Sequence, residues 1–258
     1  MRPLTEDTPK SLVEVDEHPL LDYLLDELSA WTDLQAIHLA VNHRDADAFR
    51  AWADAHRPVR ADKEIAVHVH DDGVETPGDQ LGVVGDLQFL LREVGLPEDG
   101  ALVSGGDSLY RFPLAPILNA YDGTTNQVLA LHEPDPERRA HSSLLRLDGA
   151  EVAEIVNAPS GGTSERICPS WTLLRPDTLR LVDEYLSSDG PPDQLGPFLN
   201  RVAHEDSLRA VRLPRQKDLR LHCNTVDELE RARRLLRNEP RHVLDPKTVR
   251  EYLGVRDE

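Results

Sequence analysis

Lysine is almost missing from this chain. The 258 residues contain only Lys10, Lys63, Lys217 and Lys247. Cations are scarce overall: 29 lysines and arginines face 47 acidic residues, for a net charge of -18. Such a balance disfavours electrostatic association with nucleic acid, and no nucleic-acid partner is expected. The plain reading is a solvated acidic surface. A sharper one is adaptation to a high-salt cytoplasm, where carboxylates keep the surface hydrated and lysine is rare. Cysteine is also scarce. Cys168 and Cys223 lie far apart, in neither a CxxC nor a zinc spacing, and read as small, partly buried thiols. No apolar run is long enough to cross a membrane, and no basic flank precedes an apolar stretch at the N-terminus. The expectation is a soluble, cytoplasmic protein with no membrane partner. No internal repeat is visible, and no hexapeptide β-helix tail.

What is present is an alternation of strand and helix patterns. Leu20 to Leu28 carries apolar residues at helical spacing, with Pro19 at its start. Gln35 to Val41 reads as a strand, Asp45 to His56 as a helix and Glu64 to Val69 as a strand. A helix is expected over Asp79 to Val94, a short strand over Ala101 to Val103, a helix over Pro113 to Ala120 and a strand over Val128 to Leu131. Asp148-Gly149 then suits the turn of a hairpin between Ser143 to Leu147 and Glu151 to Val156. Ile167 to Leu174 reads as one strand, followed by helices over Asp177 to Leu186 and Pro197 to Ala203. Leu208 to Leu213 and Leu219 to His222 read as strands. Thr225 and Glu228 form a capping box at the head of a helix reaching Leu236, and a last helix is expected over Pro246 to Leu253. The loops at Pro159 to Ser164 and Ser187 to Gln194 are expected to be flexible. This alternation argues for an α/β fold, doubly wound on a mainly parallel sheet, with a hairpin-rich substrate lobe. Ligands in such sheets bind at the carboxyl ends of the strands.

Two segments carry more specific information. Arg2-Pro3-Leu4-Thr5 and Pro9-Lys10-Ser11-Leu12 open the chain, with His18-Pro19-Leu20-Leu21 following. Further on, Val103-Ser104-Gly105-Gly106-Asp107-Ser108 ends a short apolar strand. Together they resemble the sugar-1-phosphate nucleotidylyltransferases, of the glucose-1-phosphate thymidylyltransferase type. In that family x-P-L-T-x-x-x-P-K-x-L follows a G-x-G-T-R-L loop, and an L-G-D motif comes later. The resemblance implies a Rossmann-like nucleotidyltransferase fold, with a nucleotide-binding half over residues 1–132 and a sugar-binding half with C-terminal helices over 133–258. It implies transfer of a nucleoside monophosphate from a nucleoside triphosphate to a sugar 1-phosphate, with release of pyrophosphate.

The site residues follow from the same likeness. Lys10 corresponds to the lysine that contacts substrate phosphates, and Arg2 and Pro3 to the nucleotide-binding loop. Asp107 corresponds to the aspartate that binds the catalytic metal, so Mg²⁺ is the implied cofactor. Glu75 to Asp86 is similar to the base-recognising segment, where Gly78 and Gly82 would let the backbone approach a ring or ribose closely. The implied ligands are a nucleoside triphosphate and a sugar phosphate, and a homo-oligomer is compatible with this reading.

The chain also departs from the pattern. Ser142-Ser143-Leu144-Leu145 stands where a Y-G-V-V glycine would contact the sugar. Val156-Asn157-Ala158-Pro159 keeps only the proline of E-E-K-P, and Pro169-Ser170 replaces T-G. In Leu221-His222-Cys223-Asn224-Thr225, His222 takes the place of the second metal-binding aspartate. Histidine is a poor ligand for Mg²⁺, and the preferred reading of His222 is a strand-end side chain without a metal. His68 and His70 share a strand face, but no third ligand is evident, so a polar strand edge is the preferred reading. The first strand and glycine loop of the family are missing from the sequence. A misplaced start, with Met1 at the family's usual leucine position, is favoured over real loss, which would leave unpaired strand edges. The alternative function is a weak or inactive paralogue that binds a nucleotide or nucleotide sugar and regulates or assembles with an active partner.

Overall fold

The computed structural model describes residue 5 and residues 8–56, 59–60, 63–157, 164–216 and 218–239. Arg2 and Pro3, the helix expected over Pro246 to Leu253 and most of the loop at Pro159 to Ser164 lie outside the described residues. The others group into two compact units. One takes its described residues from Met1–Gln80, Gly105–Ala120 and Asp218–Pro246, the other from Leu81–Ser104 and Tyr121–Lys217. Among the described residues no helix is long and apolar enough to cross a membrane.

The first unit begins with a one-turn 3-10 helix at Lys10–Leu12. Glu14–Val15 then pairs antiparallel with His18–Pro19 through a two-residue turn. Asp16 and Glu17 both have positive φ there, 52° and 73°, the geometry a tight hairpin needs. The helix Leu20–Ser29 follows, burying Leu20, Leu21, Leu24, Leu25 and Leu28 on one side at helical spacing. Ala36–Val41 and Ala66–Asp71 form a two-stranded parallel pair, joined through the helix Ala46–Ala55. A second, antiparallel pair joins Ser108–Tyr110 to Arg220–His222, with Ser108 opposite His222. The helix Val226–Asn238 starts at the expected capping box: Thr225 accepts from the Glu228 amide, and Glu228 accepts from the Thr225 amide.

A small core joins the first hairpin and helix, the Ser108–Tyr110 pair and the last helix. Val13, Val15, Leu20, Leu109, Leu221, Cys223, Leu229, Ala232 and Leu235 form one buried cluster. Its members sit near Lys10, Asp107, His222 and Asn224 in sequence, so apolar burial positions polar residues one to three places away.

The second unit is a seven-stranded sheet. From one edge its order is Arg166–Cys168, Ser143–Asp148, Glu151–Asn157, Leu208–Arg212, Asn126–His132, Trp171–Leu174 and Ala101–Ser104. The α/β class holds. Of the mainly parallel pairing expected, parallel ladders are found between Leu208–Arg212 and Asn126–His132, and between Ala36–Val41 and Ala66–Asp71 in the first unit. The other ladders of the seven-stranded sheet are antiparallel. The hairpin at Asp148-Gly149 imposes one of them directly. The strand expected over Ile167 to Leu174 is two, Arg166–Cys168 and Trp171–Leu174, both pairing with Asn126–His132. Pro169 has no amide hydrogen to give to a ladder, and the pairing breaks there. Helices Gly82–Val94, Pro176–Ser187 and Leu195–Glu205 complete the unit. Its core includes Val128, Ala130, Leu145, Val182, Phe198 and Val202, and the Phe198 ring meets Tyr185 edge-on at 5.3 Å.

Candidate functional site

Lys10 and Asp107 lie 97 residues apart in sequence, and the first unit brings them into contact. Lys10 Nζ donates to Asp107 Oδ2 at 2.6 Å. Close packing makes this approach possible. A Cβ built on Gly106 would stand 3.1 Å from Ser11 Oγ and 3.3 Å from Leu21 Cδ1, so the glycine of S-G-G-D lets the loop lie against the turn that carries Lys10.

His222, at the end of the strand paired with Ser108–Tyr110, and Asn224, two residues beyond it, complete the cluster. His222 Nε2 donates to the same carboxylate oxygen of Asp107 at 2.9 Å. Asn224 Nδ2 donates to His222 Nδ1 at 2.7 Å, and Asn224 Oδ1 accepts from Lys10 Nζ. The backbone fixes this end of the site, since the Asn224 amide donates to Glu228 Oε2 at 2.9 Å and the Cys223 amide donates to the Asp107 carbonyl at 3.3 Å. Arg220 reaches the neighbouring hydroxyl, its Nε donating to Ser108 Oγ at 2.9 Å.

The electrostatics follow from these contacts. Burial alone would raise the Asp107 pKa, but the His222 hydrogen bond and the nearby positive charge, Lys10 included, hold it far below the usual carboxylate range. Asp107 is thus a carboxylate at any physiological pH. Burial, then the acidic charges of Glu228 and Asp107, push the Cys223 thiol up to about 12. Cys223 is fully buried and Cys168 buried, both as free thiols, which suits their reading as packing residues.

The glycines expected at the nucleotide have other surroundings. Gly78 lies exposed in the 3-10 turn Pro77–Asp79, where an added Cβ would meet only Thr76 Oγ1, at 3.9 Å. Gly82, at the head of its helix, has φ +78° and is covered by protein. A Cβ there would stand 2.6 Å from Asp193 Cα and from Pro192 O. Its lack of a side chain serves packing against the Pro192-Asp193 backbone. Asn224 had no role in the sequence reading. The signal for it was faint: a polar residue just ahead of a capping box and two places after His222.

Several departures from the family pattern come together in the second unit. Ser142, Ser143, Pro169 and Ser170 line a cavity of about 620 Å³, together with apolar residues such as Ile155 and Leu199.

The pair His68 and His70 acquires a third member across the parallel ladder, where His38 lies opposite His68. The His38 and His68 rings stack at 4.9 Å, and His38 Nδ1 lies 3.0 Å from His70 Nε2. Among the described residues no group of three histidine, cysteine, aspartate or glutamate side chains could hold a metal ion, and this trio is included. Its consequence is instead a pH dependence. Burial, followed by the charges of His68 and His70, lowers the His38 pKa, so folding favours neutral His38. Its contribution to stability is complete above the ordinary imidazole pKa of about 6.5 and is lost as pH falls through the lowered folded value. His38→Gln is expected to shrink the fall in urea midpoint between neutral and mildly acidic pH. An unchanged fall would show that the cluster is not what destabilises the acid form. His43, whose pKa is raised chiefly by the hydrogen bond it donates to Asp71, works in the opposite direction and is the same in both proteins.

No family model and no curated protein sequence matches this chain. Solved structures do. A protein assigned as a glucose-1-phosphate thymidylyltransferase from Bacillus anthracis is 17% identical, with a TM-score of 0.74 over 93% of this chain and 91% of that one. UTP-bound UDP-glucose pyrophosphorylase from Acinetobacter baumannii is 17% identical, with a TM-score of 0.68 over 98% and 93%. CTP:phosphocholine cytidylyltransferase from Streptococcus pneumoniae is 18% identical, with a TM-score of 0.67 over 92% and 93%. Likeness at such identities is likeness of fold, and the chain has the fold of these nucleotidyltransferases over nearly its whole length.

The Mg²⁺ implied by the resemblance can be tested against the donors around Asp107. Mg²⁺ takes oxygen ligands, with one or two carboxylates beside substrate phosphates. Among the described residues one carboxylate is present here, its Oδ2 accepts from two protein donors, and the partner at the second-aspartate position is an imidazole. That donor set does not fit a protein-held Mg²⁺.

Proposed function

We propose that this chain binds a nucleoside triphosphate with its phosphates at Lys10 and transfers the nucleoside monophosphate to a sugar 1-phosphate, releasing pyrophosphate. The observation that carries the reading is the meeting of Lys10 and Asp107 in this fold, 2.6 Å apart, at positions matched by P-K and G-D. In the reaction an oxygen of the sugar phosphate forms a bond to the α-phosphorus while the bond to the departing pyrophosphate breaks. Negative charge is crowded in the transition state, and a fixed ammonium is of most use there. Asp107 holds that ammonium in place, and Arg220, tethered through Ser108, adds a second cation to the same strand pair. Mg²⁺ enters this reading as the counter-ion that a nucleoside triphosphate carries from solution on its own phosphate oxygens.

A second reading, binding without turnover in a partner-regulating paralogue, draws on His222 against Asp107 and on the altered residues that line the cavity. One experiment separates the two. Pyrophosphate release is measured for each common nucleoside triphosphate with hexose 1-phosphates, alongside calorimetry with nucleotide sugars. Turnover supports transfer. Nucleotide-sugar binding without pyrophosphate supports the second reading. Neither signal on the folded protein would sink both.

A further inference from the structure

We infer that Asp107 in this chain anchors Lys10 and does not ligate a divalent ion, so that the phosphates of a nucleotide ligand meet an ammonium where the resemblance implies Mg²⁺. The inference deepens the reading of Lys10 as a phosphate-binding residue and rests on it, but its own evidence is the hydrogen-bond ring around Asp107.

Four side chains close that ring: Lys10 to Asp107, His222 to Asp107, Asn224 to His222 and Lys10 to Asn224. Donor and acceptor roles are forced around it. An ammonium can only donate, so the Asn224 oxygen must face Lys10. The Asn224 amide hydrogens then face His222 Nδ1, which must accept. The imidazole proton therefore sits on Nε2, and that nitrogen donates to Asp107 Oδ2. The four contacts then pair donor with acceptor all the way around the ring.

A metal ion at Asp107 would undo this. To ligate through Nε2, His222 would have to move its proton to Nδ1, where it would face the Asn224 amide hydrogens. Turning the Asn224 amide around would repair that contact and set the same hydrogens against the Lys10 ammonium. Either rearrangement puts donor against donor, and two further positive charges would arrive beside the ammonium. An aspartate in place of His222 would remove the obstacle, because a carboxylate brings acceptors only. The ring thus turns on the residue that departs from the family pattern. Lys10 has three donors, two of them committed to the ring, which leaves one more that a phosphate oxygen could take.

The test counts bound Mn²⁺ by electron paramagnetic resonance on the full chain with no nucleotide present. The surface carboxylates will bind some ions, so wild type is compared with Asp107→Asn. The expected result is equal binding, with no Asp107-dependent ion. His222→Asp is expected to gain one Mn²⁺ site, about tenfold or more tighter than that background, the usual scale for metal-site ligand changes. A wild-type Mn²⁺ ion that Asp107→Asn loses would overturn the inference. So would a folded His222→Asp that gains nothing. If His222→Asp does not fold, as judged by circular dichroism, the comparison of wild type with Asp107→Asn decides alone. Failure to release pyrophosphate would sink the transfer reading and leave this measurement untouched, since no nucleotide takes part in it.

Discussion

Lys10→Ala is expected to lower nucleotidyl transfer about 100- to 1000-fold, the usual cost of deleting one fixed group that meets transition-state charge. If the chain binds without turnover, the same variant is expected to weaken binding of the diphosphate group by a comparable direction and smaller factor. The stability of the protein should hardly change. Lys10 and Asp107 are each about one-third exposed, at 31% and 30%, and pairs of that kind contribute about 0–1 kcal/mol. The contrast is what makes the variant informative, because a residue that serves only the fold would show the reverse. Melting temperature and pyrophosphate release measured on the same preparation give both halves. Lys10→Arg is not expected to rescue fully, because a planar guanidinium cannot reproduce the ammonium's contacts to Asp107 and Asn224. If Lys10→Ala keeps both its melting temperature and its nucleotide affinity within about twofold, Lys10 is not a phosphate ligand and the proposed site is in the wrong place.

Much of the fold is legible in the pattern of apolar residues. Leu20, Leu21, Leu24, Leu25 and Leu28 mark a helix by their spacing, and Thr225 with Glu228 marks the start of another. Both signals are local, set by the backbone period and by two side chains three residues apart. Direction of pairing is not local. The mainly parallel sheet was inferred from alternation alone, and the return path of the chain through the hairpin made most ladders of the larger sheet antiparallel. The split at Pro169 was written in the sequence, as a proline within an apolar run. The site divides in the same way. Lys10 and Asp107 are singled out by motif likeness, and the fold brings them into contact. His38 was not seen beside His68, because a register partner 30 positions away leaves no trace in spacing. Asn224 escaped for a similar reason: its partners are Lys10 and His222, and only the folded chain joins them.

Gly82 shows how a glycine can mislead, and Gly82→Ala is expected to destabilise the protein substantially while leaving nucleotide affinity intact. Two costs add. With φ at +78° any L side chain is strained, by about 1–2 kcal/mol. The new Cβ would also stand 2.6 Å from Asp193 Cα and Pro192 O and 2.7 Å from Asp193 N. These are backbone atoms, held by the hydrogen bond from the Val84 amide to the Pro192 carbonyl at 2.8 Å, so they cannot swing aside as a long side chain would. Overpacking of this kind costs about 1–3 kcal/mol, which brings the total to about 2–5 kcal/mol. Gly78→Ala is the control. It has ordinary space around the new methyl group and is expected to change stability by less than about 0.5 kcal/mol. Urea midpoints give the stability, and nucleotide calorimetry under conditions where each variant is folded gives the affinity. If Gly82→Ala is as stable as wild type but loses nucleotide, close approach of a ligand is the reason for the glycine. If Gly78→Ala alone loses nucleotide, the exposed turn carries the nucleotide contact and Gly82 serves packing.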